Sequence, residues 1–263
     1  MKIFALSDLH VDFPANRSWV EAMPAYAHRE DLLVVAGDVS DSMDLMAWCF
    51  ETLASRFAKV LFVPGNHELW VLGDPPAIDS MAKFWRVRAL AHSRGVVTGV
   101  LRYGRVSIVP LMSWYDGSFG TPSALLTDRW MDYRACRWVG NLAAHDICSE
   151  FLRMNEAVLD VRNDTVISVS HFVPRADLLP ATSEVTQLLL PVMGSRRLEA
   201  QVRRLNPAIH VYGHSHRRAR VQADGITYVN AALGYPRERG GREAELCCLG
   251  EFDSCSAERT AGR

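Results

Sequence analysis

The chain has no apolar run of the roughly 18–20 residues that a membrane-spanning helix requires. Its first apolar stretch, residues 2–7, runs straight into Asp8 and His10; too short for a signal peptide, it reads as a first β-strand. There is no CxxC pair either. The six cysteines, Cys49, Cys136, Cys148, Cys247, Cys248 and Cys255, show no framework spacing, and without a secretory signal they read as free thiols of a cytoplasmic protein. A zinc knuckle built on Cys247, Cys248 and Cys255 would lack a fourth ligand in reach. Lysine is scarce: Lys2, Lys59 and Lys83 are the three among 29 basic residues, so the positive charge is almost all arginine. Neither strong charge nor compositional bias is present. A net charge of −1 and 49% hydrophobic residues exclude a disordered, collagenous or coiled-coil chain. Internal repeats and linkers are missing too, so the 263 residues are expected to form one domain over 1–253, with a loose polar tail over 254–263.

What is present is a strand–helix alternation. Residues 2–7, 31–36 and 60–63 are short Val/Leu-rich runs, and 17–27 and 43–57 carry apolar positions at helical spacing. Such alternation implies right-handed βαβ units and a largely parallel sheet. A helix is expected next over 76–91. Then 96–103 and 106–111 flank Gly104-Arg105 as a β-hairpin. Residues 112–141 are the least regular part, with aromatics and arginines among Gly, Pro and Asp. Beyond them come a helix over 143–159, a strand over 165–169, a helix over 196–205, and strands over 208–212 and 226–231.

The informative pattern lies in the residues just past the carboxyl ends of these strands. The first ends in Asp8 and His10, the second in Gly37-Asp38, and the third in Gly65-Asn66-His67-Glu68. The strand at 165–169 ends in His171, and that at 208–212 in Gly213-His214-Ser215-His216. In an open α/β sheet ligands bind at the carboxyl ends of the strands, so a shared edge would gather groups more than 200 positions apart. Imidazole, carboxylate and amide oxygen suit Mn, Fe, Zn or Ni. Seven candidate ligands are too many for one ion that keeps an open position. Two ions sharing Asp38, with a bridging hydroxide as nucleophile, fit better. Singly, each piece has an ordinary explanation: a packed histidine, or a glycine turn. Five of them in order do not.

The order D-x-H, G-D, G-N-H-E, H, G-H-x-H resembles the calcineurin-like metallophosphoesterase superfamily, its blocks spread over residues 8 to 216. The resemblance implies a four-layer α/β/β/α sandwich. It implies a first metal held by Asp8, His10 and His216, a second by Asn66, His171 and His214, and Asp38 between them. It makes His67 the group that protonates the leaving oxygen or stabilises charge in the transition state. Asp41 matches an acidic residue that orients this histidine in some members; it reads equally well as a carboxylate at a helix N-terminus. After Gly37-Asp38 the chain continues Val-Ser-Asp-Ser-Met, where Ser/Thr protein phosphatases carry a phosphate-binding arginine, which counts against protein phosphatase activity.

The expected activity is therefore dinuclear-metal hydrolysis of a phosphate mono- or diester of a small metabolite, with manganese the expected metal. Trp114, Tyr115, Arg129, Trp130, Arg134 and Arg137 either line the substrate pocket or, for the aromatics, seal the sandwich; Tyr235 and Arg237 pose the same question. Ten arginines between 196 and 242 face Glu199, Asp224 and Glu238. They form either a basic rim for an anionic substrate or a solvated face in an arginine-rich composition. Two alternatives stand beside the metabolite hydrolase: a nucleic-acid phosphodiesterase, and a metal-binding scaffold without catalysis.

Overall fold

A computed structural model describes residues 1–140, 142–180 and 183–252; the expected tail over 254–263 lies outside them. The N-terminal apolar runs form β1 (Lys2–Leu6), β2 (Leu32–Ala36) and β3 (Lys59–Val63). They pair in parallel, and the later strand β10 (Cys247–Glu251) closes the far edge antiparallel to β1. The second sheet holds β4 (Leu101–Tyr103), β5 (Val106–Pro110), β6 (Thr165–Val169), β7 (Ile209–Tyr212), β8 (Ala219–Ala223) and β9 (Ile226–Asn230). Its order is β4-β5-β6-β7-β9-β8, with β5, β6, β7 and β9 parallel and the two edge strands antiparallel.

Side-chain alternation on β1 explains the layering. Phe4 and Leu6 face α1 (Pro14–Ala22), α2 (Met43–Ala54) and α3 (Ser80–Ser93), packing with Val20, Met46, Phe50 and Val87. Ile3 and Ala5 face the other way, into a core shared with Ile108, Ile167 and Val211 of the second sheet. That sheet is covered in turn by α6 (Ala144–Asn155) and α8 (Arg196–Leu205), through Ile147, Phe151, Leu198 and Val202. The result is the α/β/β/α sandwich that the resemblance implied.

The differences from expectation have local causes. Helix α1 starts at Pro14 rather than 17, because proline's fixed φ and missing N–H suit a first helical turn. Helix α3 starts at Ser80 rather than 76, where the Asp79 side chain accepts from the Ala82 N–H as its cap. The run at 96–103 is split between the two sheets. Val97 bridges Leu61 beside β3, and only Leu101–Tyr103 pairs with β5. The irregular stretch at 112–141 contains two short helices, α4 (Ala124–Arg129) and α5 (Asp132–Ala135). Another short helix, α7 (Glu184–Leu189), precedes α8. No helix among the described residues is long and apolar enough to cross a membrane.

Candidate metal centre

Because both sheets end on the same side, the loops after β1, β2, β3, β6 and β7 meet. Asp8 N–H donates to Gly37 O at 2.9 Å and His10 N–H to Asp38 O at 3.0 Å, tying the first two loops together. Gly213 N–H donates to His171 O at 2.9 Å, and Ser7 bridges Ala232, which joins the two sheets at this edge. Gly213 permits that joint: a Cβ there would stand 2.7 Å from Ser7 Cβ.

Seven non-glycine residues among those described have positive φ, and five of them are Asp8, His10, Asp38, His214 and His216. Left-handed backbone costs a non-glycine residue of order 1–3 kcal/mol and persists where its surroundings over-determine it, commonly at functional sites. Each loop leaves its strand and immediately turns a donor side chain inward.

The side chains fall into two groups that share Asp38: Asp8, His10, Asp38 and His216 in one, and Asp38, His171 and His214 in the other, donor atoms within 4.8 Å of one another. Asn66 joins the second group, its Oδ1 lying 3.1 Å from His171 Nε2. His171 Nε2 is 3.2 Å from His214 Nδ1, and His10 Nε2 is 3.1 Å from His216 Nε2. Outer partners fix which ring nitrogen faces in. His171 Nδ1 lies 2.8 Å from Ala36 O, His214 Nε2 3.0 Å from Val192 O, and His216 Nδ1 2.7 Å from Glu238 Oε2. With their outer N–H groups donated, the inner nitrogens face the shared space and become donors to a cation once they carry no proton. All seven candidate ligands expected from the sequence are thus brought together, and the nitrogen-and-oxygen donor set fits borderline or hard divalent cations.

The electrostatics match a cage built for positive charge. Burial alone would raise the Asp8 carboxyl, but His216 outweighs it and holds it at about 2. Asp38 is likewise held well below the carboxylate range, because His171 and His67 overcome its burial. Burial opposes charge on His171 and His216; Asp38 nonetheless lifts the former to about 9, and Asp8 with Glu238 the latter to about 10. His10 and His214 are pushed down to about 3, chiefly by burial. Cations entering this space would displace the protons held by His171 and His216.

His67 stands beside the two groups, its Nε2 3.7 Å from Asp38 Oδ2 and its side chain 13% exposed toward the cleft. The Trp70 ring lies against it at 3.6 Å between centroids. Asp41 does not orient it: among the described residues no hydrogen bond or ion pair joins the two. Asp41 is exposed, and its carbonyl accepts from Lys83 Nζ. The carboxylate at His67 is Asp38.

The substrate-facing residues expected in 112–141 are mostly elsewhere. Trp114 and Tyr115 are buried and pack on each other and on Phe172, sealing the sandwich. Arg129 is exposed and paired with Asp128, Arg134 is exposed, and Arg137 donates to Pro76 O. Of that stretch Trp130 does reach the cleft. Most of the arginine excess also has a structural home. Arg203 pairs with Glu199 and Asp224, Arg204 with Glu156 and Asp160, and the Arg196 and Arg197 guanidinium groups donate to Ser118 O and Ser149 Oγ.

Three contributors escaped the sequence reading. Glu68 is buried and accepts from the N–H groups of Asp38, Val39 and Gly65 at 3.0, 2.6 and 2.6 Å, bracing the two loops. Burial and Asp38 push its carboxyl up to about 7, against those donors. Glu238 anchors His216 from a short helical turn far along the chain, and Asp132 anchors Asn66. The G-N-H-E block hinted at Glu68; nothing in the sequence distinguished the other two. Gly65 is required by close approach, since a Cβ there would collide with Asp38 Oδ1. Gly65→Ala is expected to destabilise the protein by about 1–3 kcal/mol, the usual cost of overpacking, and to weaken metal uptake. Urea unfolding and metal titration check this; an unchanged midpoint would contradict it.

A sequence model described as calcineurin-like phosphoesterase matches residues 1–218; the remaining strands β8, β9 and β10 complete the two sheets. The acyl-carrier-protein phosphodiesterase PptH of Mycobacterium tuberculosis is 30% identical over 264 aligned residues, covering 90% of this chain and 78% of that protein. The crystal structure of the phosphopantetheinyl hydrolase PptH from the same organism superposes with a TM-score of 0.82 at 28% identity, covering 94% of this chain and 95% of that one.

Proposed function

The chain belongs to the calcineurin-like phosphoesterase family and is a metal-dependent phosphoric ester hydrolase, and on that premise we propose that it cleaves the phosphodiester joining a phosphopantetheine arm to a carrier protein. The observation that carries this reading is the likeness to PptH along 90% of the chain. The cleft suits it. A cavity of about 610 Å³ leads away from Asp38, Asn66 and His67. One part of its lining is Leu179, Val185, Leu189 and Met193 with Ser183 and Thr186 among them, and another is Arg217, Arg218, Tyr235 and Arg242 with Glu238. An apolar lining accommodates a slender neutral arm. Arginines at the rim suit an acidic carrier protein.

We assign Asp8, His10, Asp38 and His216 to one ion and Asp38, Asn66, His171 and His214 to the other, and we read residues 1–253 as one catalytic domain. Two divalent ions there, manganese being our expectation, would supply Lewis acidity and a water acidified toward neutral pH. Asp38 balances charge between the two groups. His67 delivers a proton to the departing carrier oxygen as its bond to phosphorus breaks and the water's oxygen takes its place. The products are the carrier protein with its hydroxyl freed and phosphopantetheine.

Intact-mass spectrometry of a phosphopantetheinylated carrier protein, incubated with enzyme and Mn²⁺, tests this directly; loss of the arm is expected. If the arm stays on under Mn²⁺, Fe²⁺ and Zn²⁺ while a small phosphorylated metabolite is hydrolysed, the metabolite reading takes its place. The double substitution Arg217→Ala/Arg218→Ala is expected to raise KM for the carrier roughly 3–10-fold, the scale of two exposed ion pairs. Turnover of an aryl phosphate should stay unchanged, and the difference should shrink with added salt. Equal effects on both substrates would remove these arginines from carrier recognition.

A further inference from the structure

Asp132 opens the short helix α5 that follows α4, and its side chain is almost wholly buried beside the candidate metal centre. Its Oδ1 accepts from Asn66 Nδ2 at 2.8 Å and from Trp70 Nε1 at 2.7 Å, and its Oδ2 accepts from Trp130 Nε1 at 2.8 Å. The segment is tied down independently: Val71 N–H donates to Ala135 O and Ser80 N–H to Arg137 O, both at 2.8 Å.

Chemistry leaves this arrangement one polarity. An indole N–H only donates and a carboxylate only accepts. Asn66 must therefore turn its NH₂ toward Asp132, which aims its carbonyl oxygen at His171 Nε2, into the second donor group. Flipped, the amide would offer an N–H pair to a cation and an oxygen to a carboxylate. The same carboxylate fixes Trp70, whose ring supports His67, and Trp130, which lines the cleft and meets His214 edge-on at 5.9 Å.

We infer that Asp132 is a positioning residue: it sets the direction of the Asn66 amide and the seat of His67, so that the second ion's affinity and the proton donor's posture depend on one buried carboxylate outside the ligand motifs. This rests on the ligand assignment proposed above, and the test separates the two.

Mn²⁺ titrations followed by electron paramagnetic resonance, with thermal melts as a fold control, compare wild type with Asp132→Asn, Asn66→Ala and the double variant Asn66→Asp/Asp132→Asn. Asp132→Asn is expected to bind one ion as wild type does and the second about 10–100-fold more weakly, the scale of losing an outer-shell partner. The double variant reverses the polarity of the 66–132 hydrogen bond while keeping an oxygen directed at the ion. It should recover second-ion affinity to within a few-fold, and kcat should remain low because Trp70 N–H then faces a donor. A merely structural role predicts no such rescue, so an unrescued double variant overturns the inference. So does folded Asp132→Asn that binds both ions normally while Asn66→Ala does not. If Asn66→Ala itself keeps both ions, the ligand assignment fails instead. Should Asp132→Asn not fold, the double variant decides alone: its second-ion affinity must exceed that of Asn66→Ala.

Discussion

Asp38→Asn is expected to lower kcat on the order of 10³-fold, about 4 kcal/mol of transition-state stabilisation, and to drop metal content from two ions per chain toward one. Asp38 is the residue common to both donor groups. Its Oδ1 stands 3.4 Å from His171 Nε2 and its Oδ2 3.9 Å from His10 Nε2. An amide keeps the volume and an oxygen for the His67 N–H, which donates to Asp38 Oδ1 at 3.1 Å. Under the proposed assignment it removes the charge that would let two cations share one space, and leaves one oxygen where two would be needed. The loop should survive, because the Asp38 backbone N–H is held by Glu68. Kinetics, metal analysis and a thermal melt on the same preparation check all three statements. A folded variant with two ions and turnover within about tenfold of wild type would remove Asp38 from its shared position, since even an outer-shell loss commonly costs 10–100-fold.

This protein is legible where its physics is local. Strands β1, β2, β3, β6 and β7 are almost fully covered, so each reads as a mainly apolar run, broken only by Ser168 in β6 and His210 in β7, that gives way to a polar donor within a few residues. Sheet parallelism then implies convergence, which is why the seven donor residues that meet at this edge could be picked out as candidates from the sequence. Strand β8 could not, because Ala219–Ala223 is an edge with Arg220, Val221 and Gln222 exposed and no buried face to impose a pattern. Trp114 and Tyr115 were ambiguous for another reason: a large aromatic is equally at home in a core or a pocket, and only the neighbours, here Phe172 and Phe151, decide. Asp132 and Glu238 act through partners 66 and 22 positions away, from single helical turns too short to show a periodicity, so their roles leave no trace in spacing.

His67→Ala should separate proton delivery from metal binding, which Asp38→Asn cannot do. Metal content is expected to stay at two ions, because His67 belongs to neither donor group and its backbone N–H bond to Asp38 survives the substitution. With an alkyl phosphodiester such as the proposed carrier substrate, whose alcohol is a poor leaving group that needs protonation, kcat should fall roughly 10²–10⁴-fold, the range for a lost general acid. With p-nitrophenyl esters, whose phenolate departs without a proton, the loss should be far smaller. That contrast identifies the acid. A residue that only stabilised charge on the phosphoryl oxygens would cost both substrates comparably, and a residue that only held structure would change the melting temperature as well. Trp70 supplies an internal control: Trp70→Phe keeps a ring under His67 but abandons the hydrogen bond to Asp132. It should reproduce a weaker form of the same leaving-group dependence, because it loosens the seat of the imidazole without removing it.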